Sequence, residues 1–205
     1  MAGSMNHSDR RAKIILMGGI PGVGKSSISG YIARELGIDL VLSGDYLREF
    51  VRPVCPDLEV LQVSVYDAWK TYGSESQNTV LKGFLDQARV INSGTNAVLK
   101  RAIANGESLI LETLYFVPSQ LDENVLSEIT PLYIYISDRD LNAKRLNERQ
   151  QYTHFNSPGK RLADQLDRYR IMMSYSLEEC GKFGIRAFDN LDYTKTREQI
   201  LDYVK

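Results

Sequence analysis

Two features of the 205-residue sequence predict a three-layer α/β/α fold, with helices on both faces of a five-stranded parallel sheet. Short apolar runs alternate with longer stretches of helical periodicity, the pattern of successive βα units. The first run leads through a glycine-rich loop directly into a helix, which builds an anion site at the carboxyl edge of such a sheet. Right-handed crossovers and an open sheet then place ligands outside the carboxyl ends of the strands.

Residues 1–10 are polar and are expected to form a disordered tail outside a single domain of residues 11–205. Lys13-Ile14-Ile15-Leu16-Met17 has the unbroken bulk of a strand buried on both faces. Ile28, Tyr31, Ile32 and Leu36 share a helical face that Gly37 closes. Ile38–Ser43 reads as the second strand, and Gly44-Asp45 opens a helix to Arg52 that Pro53 and Pro56 stop. Leu58–Tyr72 carries Leu58, Leu61, Val65 and Trp69 at helical spacing. A long helix is expected from Ser76 to Ala104, bent or broken at Gly83 or Gly94 and capped by Asn105-Gly106.

Ser108–Glu112 forms the third strand, with an acid at its carboxyl end. Pro118 opens a short helix to Leu126, and Leu132–Ser137 is the fourth strand. Arg139–Arg149 is helical, the turn-rich loop Gln151–Lys160 follows, and Arg161–Gly181 forms the next helix. Gly184–Phe188 is the last strand, and Thr196 with Gln199 has the spacing of a capping box for the terminal helix.

Gly19-Ile20-Pro21-Gly22-Val23-Gly24-Lys25-Ser26 fits G-x-x-x-x-G-K-[ST], the phosphate-cradling P-loop, and Ser27 extends it into the helix. Its backbone N–H groups and the helix dipole favour phosphate oxygens. Lys25 can reach the β- and γ-phosphates, and the Ser26 hydroxyl suits Mg²⁺. The nucleotide-binding candidates are therefore Gly19, Pro21, Gly22, Val23, Gly24, Lys25, Ser26 and Ser27, with ATP and Mg²⁺ as cofactors. The fold expected is that of a P-loop NTPase, its sheet in the order 2-3-1-4-5, with a helical lid.

Composition is that of an ordinary soluble domain, 43% hydrophobic and 25% charged. The net charge of −1 supplies no pull toward nucleic acid or an anionic membrane. Cys55 and Cys180 lack metal-ligand spacing and suit free thiols in a reducing cytoplasm. No apolar run has the length of a membrane span. The partner expected is a small anionic metabolite, with neither nucleic acid nor membrane, and the protein a monomer or homodimer.

The rest of the sheet rim narrows the chemistry. Asn-Lys-x-Asp, Asp-x-x-Gly after the loop, and Leu-Ser-Gly-Gly are all absent, which argues against switch GTPases and transporter ATPases. Asp45 stands at the tip of the second strand, where a carboxylate can take the proton of an attacking hydroxyl, hold the Mg²⁺ water shell or cap the following helix. Arg48 and Arg52 share a face of that helix and suit an anionic group on the acceptor, or pairing with Glu49 or Asp57. Glu112 sits where an acid reaches Mg²⁺ or the substrate. Arg145 and Arg149 lie four apart on a candidate lid helix, where they could stabilise the transferring phosphoryl group. The catalytic candidates are Lys25, Asp45, Arg145 and Arg149; the acceptor candidates are Asp45, Arg48, Arg52 and Glu112; the metal candidates are Ser26 and Glu112. His154 is expected to be solvent-exposed. A small-molecule kinase is the reading favoured over a non-catalytic ATP switch or a nucleic-acid end kinase.

These residues resemble archaeal 2-phosphoglycerate kinase over nearly the whole domain. The likeness runs through Ile15–Ser27, Leu36-Gly37-Ile38, Asp45–Arg52, Ser64–Lys70, Gly94–Ala102 with Arg101, Gly106–Glu112 and Val117-Pro118. It implies transfer of the ATP γ-phosphate to the hydroxyl of 2-phosphoglycerate, giving 2,3-bisphosphoglycerate. It also implies that Asp45, Arg48 and Arg52 face the acceptor while Lys25 and Ser26 face ATP. The sequence departs from the family after Glu112, with Thr113-Leu114-Tyr115-Phe116-Val117-Pro118 in place of Gly-Val-His-Leu-Val-Pro. That exchange alters the wall expected to meet the acceptor.

Overall fold

A computed structural model describes residues 12–152, 156 and 159–205. The expected tail, His154 and the Ser157-Pro158 turn lie outside the described residues. The sheet has the order β2-β3-β1-β4-β5, as expected. Its strands are β1 (Ile14–Gly18), β2 (Leu40–Ser43), β3 (Leu109–Thr113), β4 (Thr130–Tyr135) and β5 (Arg186–Asp189), all pairing in parallel. Every residue of β1 and β3 is buried, which explains their unbroken apolar runs.

Right-handed crossovers fix which helices share a face. The connection from β1 leftward to β2 carries α1 (Lys25–Leu36). Those from β2 to β3 and from β4 to β5 run the other way and carry α4 (Gln77–Asn105) and α8 (Leu166–Lys182). Accordingly α4 packs on α8, and α1 packs on the terminal α9 (Tyr193–Val204). The register sets Glu112 level with both Met17 and Ser43. That alignment brings the exits of β1, β2 and β3 to one rim.

Several elements differ from expectation. The helix expected over 58–72 is a four-residue α3 (Glu59–Gln62) followed by a 3₁₀ helix, Val65–Tyr72. Side chains of Arg48 and Gln87 bind the carbonyls of residues 60, 61 and 63 and so compete with an α-helical ladder for them. Helix α4 is continuous through Gly83 and Gly94. Gly83 marks a close approach instead: a Cβ there would lie 2.7 Å from the carbonyl carbon of Ala68. The helix expected over 161–181 is divided into α7 (Gly159–Ala163) and α8. The terminal helix is capped by Asp192, whose side chain accepts from the Lys195 N–H at 3.0 Å, and not by Thr196. Thr196 is buried and donates to the Asp189 carbonyl at 3.2 Å.

The remaining helices are α2 (Gly44–Val51), α5 (Glu123–Leu126) and α6 (Arg139–Tyr152). Asp45 lies inside α2, whose N-cap is Ser43, so Asp45 is not the cap. Helix α7 sits so close to α6 that a Cβ on Gly159 would meet the Leu146 carbonyl oxygen at 2.1 Å. Among the described residues no helix is long and apolar enough to cross a membrane.

Candidate active site

The P-loop is shaped from below and from both sides. Ile20 and Val23 are fully buried and anchor the loop to the core. Gly22 and Gly24 adopt φ of 82° and 93°, a region that side chains disfavour. The Gly19 N–H is bound to the Thr113 carbonyl at 3.1 Å, so Gly19 shapes the loop and does not offer its amide to a phosphate. Two buried asparagines hold the loop carbonyls: Asn190 Nδ2 donates to Val23 O at 2.8 Å, and Asn142 Nδ2 to Pro21 O at 3.4 Å. The N-terminus of α1 follows directly, with its orphan N–H groups turned to the loop.

Above the loop opens a cavity of about 620 Å³, of the size small-molecule sites have. Pro21, Gly22, Gly24, Lys25, Ser26 and Ser27 line its floor. Asp45, Glu112, Arg145 and Arg149 line its walls. Lys25 Nζ donates to the Ile20 carbonyl at 3.1 Å. Burial lowers the Lys25 pKa, while the carboxylates of Glu112 and Asp45 oppose that shift and Arg149 adds to it. The Arg149 pKa is also lowered by burial, against the pull of Asp45 and Glu112. Two cations and two carboxylates thus act on each other within one cavity.

The Glu112 carboxylate is buried and accepts from Ser26 Oγ at 2.8 Å and from Ser29 Oγ at 3.4 Å. A buried carboxylate and a hydroxyl at a P-loop are hard oxygen donors, so these residues fit Mg²⁺ alongside phosphate oxygens. Arg145 spans the cavity edge and donates to the carbonyls of Asn190 at 2.8 Å and Leu191 at 3.1 Å. Arg48 and Arg52 are not among the described residues that line the cavity. Arg48 binds Glu49 at 2.6 Å and the carbonyls of Leu61 and Val63; Arg52 binds Glu49 at 2.7 Å.

Sequence reasoning missed Ser43, Glu148 and Tyr193 in the lining, whereas Thr113 and Leu114 belong to the stretch expected to form the acceptor wall. Tyr193 closes the far side, its hydroxyl 3.3 Å from the Ser27 carbonyl. It also missed Asn142 and Asn190. Asn190 carried a signal, a polar residue immediately beyond the last strand, where rim residues collect. Asn142 interrupts the buried side of α6 and carried a weaker one.

Comparison with known proteins agrees with this geometry. The family model described as the AAA domain matches residues 18–157. A mevalonate-3-phosphate 5-kinase of Thermoplasma acidophilum is 53% identical over 191 residues, which make up 93% of this chain and 95% of that protein. A 2-phosphoglycerate kinase of Methanocaldococcus jannaschii is 30% identical over 199 residues, 95% of this chain but 64% of that protein. The chain therefore spans less than two thirds of the latter's length. Among solved structures, shikimate kinase of Acinetobacter baumannii in complex with shikimate superposes with a TM-score of 0.55 at 14% identity. That likeness covers 94% of this chain and 93% of the other, and it shows the fold.

Proposed function

We propose that this chain, which belongs to the AAA domain family and to the P-loop kinases of its archaeal relatives, transfers the γ-phosphoryl group of ATP to the free hydroxyl of mevalonate 3-phosphate. It is an ATP-dependent phosphotransferase acting on a small molecule; the choice of acceptor is our inference. The observation that carries it is 53% identity with a mevalonate-3-phosphate 5-kinase across nearly all of both chains. The motif resemblance to 2-phosphoglycerate kinase favours a second acceptor of related chemistry. Both molecules pair a carboxylate with a phosphate ester and a primary hydroxyl. Mevalonate 3-phosphate is the longer and more apolar, and the apolar Leu114 lies in the cavity lining.

The mechanism follows from positioning and electrostatics. Loop N–H groups from Gly22 to Ser26 and the Lys25 ammonium hold the β- and γ-phosphates. Asp45 orients the acceptor hydroxyl and takes its proton as the new bond to the γ-phosphorus forms and the γ-phosphorus–oxygen bond to the β-phosphate breaks, releasing ADP. Arg149, and Arg145 once freed from its carbonyls, balance charge on the phosphoryl group. Ser26 and Glu112 would hold Mg²⁺, which when bound supplies positive charge to the phosphate oxygens.

The test is ADP release with ATP and Mg²⁺ across mevalonate 3-phosphate, mevalonate, mevalonate 5-phosphate and 2-phosphoglycerate, with the product identified by phosphorus NMR. Turnover greatest with mevalonate 3-phosphate and one ADP per new phosphoester is the expected result. Preference for 2-phosphoglycerate would return the acceptor to that second reading. ATP binding without acceptor-dependent ADP would make the protein a nucleotide switch.

A further inference from the structure

Helix α2, which carries the cavity-lining Asp45, is tied through Arg48 to a segment that has little secondary structure of its own. Residues 58–64 hold one short turn of helix, yet Leu61 at its centre is fully buried. What fixes the segment is a buried polar network. Gln87, fully buried on α4, donates through Nε2 to the carbonyls of Val60 and Val63, the latter at 3.0 Å. Arg48 reaches the same segment from α2, donating to Leu61 O at 2.9 Å and to Val63 O. Those carbonyls only accept, so the Gln87 amide must turn its NH₂ toward them and its oxygen away. The Tyr115 hydroxyl meets that oxygen, donating at 2.9 Å from a ring buried beyond the end of β3.

We propose that Tyr115 and Gln87 are positioning residues that set the acceptor end of the cavity, by holding the 60–66 segment against the helix that carries Asp45. The substrate named in the test rests on the acceptor reading above. Three further observations connect the network to the site. Arg48 lies one turn beyond Asp45 on α2 and shares the Val63 carbonyl with Gln87. Tyr66, at the end of the segment, packs edge-to-face on Tyr169 with centroids 5.9 Å apart. Tyr169 in turn lies within the fields of Asp45 and Arg149. Loosening residues 60–66 would therefore free the Arg48 turn of α2 and shift Asp45, while Asn142 and Asn190 still hold the P-loop carbonyls.

Tyr115→Phe removes one hydroxyl and leaves the ring; Gln87→Leu removes the amide at similar size. For each variant, the KM for mevalonate 3-phosphate and for ATP is measured together with amide hydrogen exchange of residues 59–66 and of α1. We expect acceptor KM to rise roughly tenfold, as for loss of about one buried hydrogen bond, with ATP KM within roughly twofold of wild type. Exchange should quicken over 59–66 and stay unchanged in α1. Equal rises in both KM values, or unchanged exchange over 59–66, would overturn the proposal. If the wild-type protein ignores mevalonate 3-phosphate but uses 2-phosphoglycerate, the function reading fails alone, and the KM split with that acceptor still decides this one. If no acceptor in the panel is turned over, hydrogen exchange decides it.

Discussion

Ser26 Oγ donates to Glu112 Oε1 at 2.8 Å, joining the first turn of α1 to the end of β3 across 86 residues of sequence. The strand register makes the contact, since Glu112 stands level with Met17, two residues before the P-loop begins. Ser29, three residues beyond Ser26, reaches the other carboxylate oxygen at 3.4 Å. Helical spacing puts both hydroxyls on the face turned to the strand. A carboxylate held this way keeps one geometry and is ready to share Ser26 with a cation.

Weakening that pair should be read first in metal dependence. Ser26→Ala and Glu112→Gln are expected to raise the Mg²⁺ concentration for half-maximal activity about 10- to 100-fold, the range for groups that orient a metal's surroundings. A Mg²⁺ titration at fixed ATP measures it. An unchanged midpoint in both variants would remove these residues from the metal site.

Lys25 gives a prediction about pH and stability together. Burial lowers its pKa from the ordinary value of 10.5, so the folded protein prefers the neutral amine more than the unfolded chain does. At pH below the folded pKa the cost of burying the ammonium is fully present. It fades as pH rises from the folded pKa toward the usual lysine range. Lys25→Met should therefore raise the Tm of the nucleotide-free protein at pH 7, and the gain should shrink in that alkaline window. Each kcal/mol relieved corresponds to about 2–4 °C in a chain of this size. The same variant should lose the stabilisation that ATP confers on wild type. Thermal scans at pH 7 and pH 10, with and without ATP, check both outcomes.

Asp45→Asn keeps the shape of the side chain and removes its ability to take a proton. Its kcat should fall about 10²–10⁴-fold, the usual worth of a positioned base, with ATP Kd unchanged. Single-turnover phosphoryl transfer and equilibrium ATP binding separate these effects. Normal transfer by the variant would leave Asp45 without a chemical role.

The sheet was legible because apolar runs buried on both faces have no other use, and β1 and β3 are buried at every position. The P-loop and the rim acids were legible because a parallel sheet gathers its strand exits. What escaped depends on long-range polar pairing. The 58–72 stretch has helical spacing, but Arg48 and Gln87 take its carbonyls from helices that the spacing says nothing about. Arg48 looked like an anion ligand because its charge is visible in the sequence and its carbonyl partners are not. Asn142 and Asn190 escaped because the carbonyls they hold lie more than a hundred residues away in sequence, although the place of Asn190 just beyond the last strand was a hint.

Gly24 and Asn190 supply the last prediction, because they touch. A Cβ on Gly24 would lie 2.9 Å from Asn190 Nδ2, and Gly24 has φ of 93°. Gly24→Ala therefore carries two costs: left-handed backbone strain of about 1–2 kcal/mol, and displacement of the amide that holds Val23 O at 2.8 Å. Asn190→Ala alone leaves that buried carbonyl without its donor, at about 1–3 kcal/mol. In the double variant the amide is already gone, so the alanine methyl has nothing to displace and only the backbone strain remains to be added. Urea unfolding of all four proteins should give a double-variant loss smaller than the sum of the singles by about 1 kcal/mol, within the range of coupled neighbours. Additivity to within about 0.5 kcal/mol would mean the loop and Asn190 are not coupled. ATP affinity should track the same cycle, because both changes act on the carbonyl that sets where the Gly24 and Lys25 amides point.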